Sequence, residues 1–174
     1  MATTATSAMT IEEYLNGPIP EPDVEFVDGE LKAKPVVMSI HGRLQTIIGA
    51  WFERHAEDWG VLAAVEVRTR VAAGRVRLPD VVVGAAKAWP ETLVDPPLIV
   101  MEILSPSESF TELSEKLRDC HRMGIPNIWI IDPQTRRAWT SAGAVMTETG
   151  KFMVEGTPIY LDLSEMFARY DRFR

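Results

Sequence analysis

The chain predicts an α/β protein, a mixed β-sheet flanked by helices, and three observations carry that expectation. The run Leu98-Ile99-Val100-Met101-Glu102-Ile103-Leu104 is apolar on both sides of a strand pleat, as in the middle of a covered sheet. Residues 41–56 and 110–123 each repeat apolar side chains at three- and four-residue spacing, the stripe of an amphipathic helix. The order hairpin, helix, hairpin, strand, helix, strand then implies helices laid on a mixed sheet.

Each element has its own local signal. Thr10 is a helix N-cap with Glu13 at the capping-box position, so 10–15 forms a helical turn, broken by Pro18, Pro20 and Pro22. Residues 24–26 and 31–33 flank Asp28-Gly29, a strong hairpin turn. Ser39 starts the next element, and the helix over 41–56 buries Leu44, Ile47, Ile48, Trp51 and Phe52 before Gly60 closes it. The Val-rich runs 61–71 and 75–84, separated by Ala72-Ala73-Gly74, predict one antiparallel hairpin. The strand 98–104 follows, then the helix 110–123, ended by Gly124 with Pro126 beyond. Ile128-Trp129-Ile130-Ile131 is a second buried strand, stopped by Asp132-Pro133. Residues 137–140, 145–147 and 151–154 suggest edge strands, and 163–170 a last helix.

The 174 residues suit one domain, expected over 10–174, after a flexible N-terminal tail, 1–9. That tail lacks the basic start and apolar core of a signal peptide. No apolar stretch approaches the roughly 18 residues of a membrane helix, so the expectation is a cytoplasmic protein without membrane partners. The single cysteine, Cys120, excludes an internal disulfide framework or a cysteine-rich zinc site. A net charge of −7 argues against avid, nonspecific nucleic-acid binding. Arg68, Arg70, Arg75 and Arg77 form either a local basic patch on the second hairpin or a solvated pair of strands with alternating charge.

Glu102 is the anomaly in this pattern. An ionised carboxylate out of water costs several kcal/mol unless a cation, a metal or strong hydrogen bonds meet it. Strand alternation puts Leu98, Val100, Glu102 and Leu104 on one covered face. A second acid, Asp80, follows Pro79 and precedes Val81-Val82-Val83; proline in a strand marks an edge or a bulge, and bulges are common beside active sites. Winding 110–123 as a helix puts Phe110, Leu113, Leu117, Cys120 and Met123 on one arc, with Lys116 inside it. A lysine on a buried stripe is unusual, which makes Lys116 the candidate cation for Glu102. Two carboxylates suit a hard ion such as Mg²⁺, and a nearby lysine can orient a water or stabilise charge at a phosphoryl centre. The plainer alternative is a structural Glu102–Lys116 ion pair with Asp80 as a turn residue.

Pro79-Asp80 followed by Glu102-Ile103-Leu104 resembles the signature of the PD-(D/E)XK nuclease superfamily. The wider series is more specific: Val24 to Leu31, His41 opening a helix, Pro79-Asp80-Val81, Glu102 to Ser107, Lys116, and Gly124 to Pro133. Over roughly residues 10 to 165 it is similar to the bacterial restriction-endonuclease family known as domain of unknown function 820, the Uma-type endonucleases. The resemblance implies a restriction-endonuclease-like core of helix, three-stranded meander, helix and strand, with extra N- and C-terminal strands. It implies that Asp80, Glu102 and the main-chain carbonyl of Ile103 hold Mg²⁺ or Mn²⁺, with Asp80, Glu102 and Lys116 catalytic. Leu104 stands where the superfamily has lysine; in this family a lysine on the following helix takes that role, and Lys116 matches it. Where the family commonly has aspartate four residues before that lysine and tyrosine four after, this chain has Glu112 and Cys120. Glu25 and His41 match further family positions, either as supports of the site or, respectively, as a surface acid and a helix-capping or core histidine.

The expected function is therefore metal-dependent cleavage of nucleic-acid phosphodiester bonds, DNA more than RNA, by a homodimer. The alternatives are a nuclease fold kept as a noncatalytic binding or assembly module, which the acidic charge favours, and a hydrolase of small phosphoesters.

Overall fold

The structure, a computed structural model, describes residues 9–18, 24–34 and 39–172. The expected tail, 1–9, lies outside them except for Met9, as do Pro20 and Pro22. The first half comprises α1 (Ile11–Asn16), β1 (Val24–Val27), β2 (Glu30–Ala33), α2 (Ser39–Arg54), α3 (Ala56–Trp59), β3 (Val61–Val65), β4 (Arg68–Ala72), β5 (Arg75–Arg77) and β6 (Val81–Ala85). The second comprises β7 (Thr92–Leu93), β8 (Ile99–Ile103), α4 (Phe110–Met123), β9 (Asn127–Asp132), β10 (Arg137–Ala142), β11 (Val145–Glu148), β12 (Lys151–Met153), β13 (Tyr160–Asp162) and α5 (Leu163–Asp171).

Six strands form the central sheet in the order β11-β10-β9-β8-β6-β3, and five form a second sheet in the order β2-β1-β5-β4-β7. β8 and β9 are parallel and joined through α4, while β6 and β8 are antiparallel, so the central sheet is mixed. Within β8 its two faces follow the alternation read from the sequence, whereas Leu98, one residue before the strand and expected on the Val100 face, packs with the Ile99 and Met101 side instead. Ile99, Met101 and Ile103 pack under α2 and α5 with Leu44, Ile48, Trp51, Phe52 and Met166. Val100, Ile128 and Ile130 pack under α4 with Leu113, Leu117 and Cys120.

The predicted hairpin 61–84 is divided between the two sheets. Its distal part, β4 with β5, belongs to the five-stranded sheet, whereas β3 pairs with β6 in the central one. The break has a local cause. Glu66 takes a left-handed backbone, φ 54°, and Pro79, which has no N–H to give to a ladder, accepts the Glu66 N–H at 3.2 Å. Asp80 stands at this crossing, one residue before β6.

Three further expectations change. β10 lies between β9 and β11, so it is not an edge strand. Phe110, placed on the apolar arc of α4, is 78% exposed: it is the first residue of the helix, beyond the reach of the sheet. The hairpin arginines form neither a basic patch nor a solvated pair of strands: three are tied to other elements, and Arg70 donates to the Ala73 carbonyl at 3.3 Å. Arg77 is buried between Glu25 (2.8 Å) and Asp119 (2.6 Å), Arg75 pairs with Asp28 and Asp119, and Arg68 lies over the Tyr14 ring. α3, β7 and β13 carried no signal strong enough to be read in advance. Among the described residues no helix is long and apolar enough to cross a membrane.

Candidate active site

The ladder between β6 and β8 pairs Val82 with Val100 and Val81 with Met101. One further step in that register sets Asp80 opposite Glu102, and side chains directly opposite on one face are close neighbours. Both residues are 3% exposed. The two acids picked from separate stretches of sequence thus meet at one end of the central sheet, where the chain crosses to the second sheet.

Asp80 is tightly held. Its Oδ2 accepts the backbone N–H of Ile103 at 2.7 Å, and its Oδ1 accepts Lys34 Nζ at 2.9 Å. His41, on the first turn of α2, brings Nε2 to 3.0 Å from Oδ1, and among the described residues this buried nitrogen makes no hydrogen bond of standard geometry. Burial opposes the ionised form of Asp80, yet the His41 imidazole, the Lys34 charge and the Ile103 N–H outweigh it and hold its carboxyl at about 2.

Glu102 is held loosely. Among the described residues its ion-pair partner is Lys116, whose Nζ lies 3.5 Å from Oε2, and burial pushes its carboxyl up to about 8 against the pull of that lysine. Lys116 has a closer anion in Glu108, at 2.8 Å. Burial alone would lower Lys116, but the charges of Glu102, Glu25 and Glu108 outweigh it and raise it. The pair is asymmetric: burial raises the Glu102 carboxyl, whereas the surrounding carboxylates raise the Lys116 ammonium.

Lys116 faces inward because it lies on the side of α4 whose Leu113, Leu117 and Cys120 pack on the sheet, and Ser109 starts that helix in a full capping box with Glu112. The Glu112 carboxylate is engaged in that cap, bonded to the Ser109 N–H at 2.8 Å and hydroxyl at 2.7 Å. Cys120 is buried under the Glu102 face, and its thiol is pushed up by burial, so it packs and does not react. Glu25 supports a neighbouring base: it binds Arg77 and accepts the Leu78 N–H at 3.1 Å, fastening β1 two residues before Asp80.

Lys34 and Glu108 were not singled out from the sequence. Lys34 ends the first hairpin, in a polar stretch with no periodicity to orient it. Glu108 lies in the Ser-Pro-Ser-Glu-Ser loop before α4, where an acid reads as solvated surface. Only the three-dimensional closure of hairpin and loop over the sheet end reveals either.

Among the described residues no three His, Cys, Asp or Glu side chains form a metal cage. The donor set does fit a hard divalent ion that retains several waters, since such ions take one or two carboxylates. Asp80 and Glu102 supply these, and the unbonded His41 nitrogen marks polar capacity left unspent beside them.

The model of a family described as "Uma2: Putative restriction endonuclease" matches residues 11–140. The fold is similar to a crystal structure described as a putative nuclease belonging to DUF820 from Anabaena variabilis ATCC 29413. The TM-score is 0.76 at 20% identity, over 92% of this chain and 98% of that one. At that identity the likeness shows a shared fold. No curated protein matches the chain.

Proposed function

The chain belongs to the Uma2 family, and from that premise we propose that it is a divalent-metal-dependent endonuclease that hydrolyses phosphodiester bonds in nucleic acid, DNA being the expected substrate. The observation that carries the proposal is the bond from the Ile103 N–H to Asp80, which brings this acid, one residue before β6, to the end of β8 that carries Glu102, with Lys34 beside Asp80 and Lys116 beside Glu102.

In this reading Asp80, Glu102 and the carbonyl of Ile103 hold Mg²⁺ or Mn²⁺. When bound, the ion neutralises charge at the phosphate and favours ionisation of water. The Ile103 N–H fixes the rotamer of Asp80, so one carboxylate oxygen points the same way in every turnover. Lys116, braced by Glu108, presents a permanent positive charge to orient the attacking water and to stabilise the negative charge that grows on the phosphoryl oxygens. Water attacks phosphorus in line, the bond to the 3′ oxygen breaks, and the products carry 5′-phosphate and 3′-hydroxyl ends. α4 covers the Glu102 face with Leu113, Leu117 and Cys120, which limits access of bulk water from that side.

Supercoiled plasmid incubated with the protein in Mg²⁺ or Mn²⁺, and in EDTA, tests the reading. Nicked and linear products that require the metal and vanish with Asp80→Ala support it. No cleavage by the wild type, or undiminished cleavage by the variant, contradicts it.

The noncatalytic module keeps one observation in its favour: Arg75 and Arg77 are committed to internal ion pairs in a chain of net charge −7, which leaves few cations for phosphates. A cytoplasmic homodimer suits the nuclease, since the two strands of a duplex need two sites, and sedimentation of the metal-loaded protein reads its mass directly.

A further inference from the structure

Lys34 occupies a built seat. An ammonium has three N–H donors, and three oxygens surround this one: Asp80 Oδ1 at 2.9 Å, the Leu78 carbonyl at 2.9 Å and Glu66 Oε1 at 3.4 Å. Gln45 braces the seat, donating to Glu66 at 3.3 Å and to the Asp80 carbonyl at 3.2 Å. The Lys34 side chain is only 10% exposed.

This arrangement bears on how Asp80 is used. Oδ2 is given to the Ile103 N–H, so Oδ1 is the oxygen through which Asp80 reaches a cation, and Oδ1 already has Lys34 at 2.9 Å and His41 at 3.0 Å. A unit positive charge on that oxygen repels an incoming divalent ion. The ammonium also has somewhere to go: a pocket of about 80 Å³, lined by Lys34 and Lys116 together with Glu25 and Glu108, opens beside it.

We propose that Lys34 is a positioning residue, the resident counter-ion of Asp80, which a divalent ion displaces from Oδ1 into the adjoining pocket. This rests on the reading of Asp80 as a metal ligand. An ammonium that only held β2 to the sheet crossing would strengthen or leave unchanged the binding of an ion; a resident counter-ion must weaken it.

Titration of the chelator-treated full chain with MnCl₂ in a calorimeter, for wild type, Lys34→Met and Lys34→Gln, separates these roles. The Gln variant keeps a polar amide on the side chain while removing the charge, and thermal melts in EDTA verify that it folds. Both neutral variants are expected to bind Mn²⁺ about tenfold more tightly than wild type, the effect of removing one close repulsion of about 1.4 kcal/mol, while Lys34→Arg stays near wild type. Binding by the neutral variants that is equal to or weaker than wild type overturns the assignment of Lys34 and leaves the metal site standing. Absence of Mn²⁺ binding in every protein overturns both this assignment and the metal-dependent reading.

Discussion

Asp80 Oδ2 accepts the backbone N–H of Ile103 at 2.7 Å, a bond from the residue entering β6 to the last residue of β8. It sets the two candidate metal-binding acids against each other and closes the end of the sheet where the ladder itself has stopped. Asp80 is therefore structural and functional at once. Asp80→Ala strands a buried N–H and takes from the Lys34 ammonium the nearer of its two carboxylates, and should cost about 3 kcal/mol in chemical denaturation. A cost below about 1 kcal/mol would mean that these groups find water instead.

The pH dependence of stability should carry the mark of Glu102. Burial raises its folded value to about 8, against about 4.3 in an unfolded chain. The folded state keeps a proton that the unfolded state releases, so this group's contribution is complete below about 4.3 and is lost as pH rises toward about 8. Asp80 has the opposite sign: held at about 2, it contributes above its ordinary range near 3.9 and loses that contribution as pH falls through about 2. Denaturant midpoints of wild type and Glu102→Gln from pH 4.5 to 8.5 are the measurement. The wild type should decline relative to the variant across that window; parallel curves would show that Glu102 is solvated.

Arg77 should be the costliest single ion-pair loss outside the site. It is 4% exposed and joins Glu25 on β1 to Asp119 on α4, so Arg77→Met leaves two buried carboxylates without their shared cation. The expected loss is about 3 kcal/mol, with much of it recovered in the Arg77→Met, Glu25→Gln, Asp119→Asn triple variant. A triple variant no more stable than the single one would contradict this.

α4 offers a contrast between two residues of one apolar arc. Leu117→Ala should cost about 3 kcal/mol, because Leu117 is buried beneath the Glu102 face. Phe110→Ser should stay within about 0.5 kcal/mol, because Phe110 is 78% exposed. Equal losses would mean that Phe110 is covered in solution.

That contrast shows where the sequence was legible. Periodicity located α4 and placed Lys116 on its buried arc, and strand alternation put Glu102 on one of two covered faces, because both signals come from local backbone geometry; which face α4 covers was not legible. Phe110 shares the angular direction of the arc, yet direction alone does not say where the sheet ends. The split of the hairpin at Glu66 and Pro79 was hidden for a related reason. Valine-rich runs report burial, and both sheets bury them, so the exchange of partners leaves no trace in composition. Lys34 was illegible because its role is set by residues 32 and 46 positions away. Arg75 and Arg77 looked like surface charge because their partners, on β1 and α4, are equally remote.

Crystals of the wild-type protein soaked in MnCl₂, with anomalous diffraction data collected for manganese, show directly whether Asp80 and Glu102 together hold a divalent ion. One strong anomalous peak is expected within about 2.3 Å of an oxygen of each carboxylate and of the Ile103 carbonyl, with Lys34 Nζ moved off Asp80. A peak elsewhere, or an Asp80–Lys34 pair unchanged beside an empty Glu102, would contradict it.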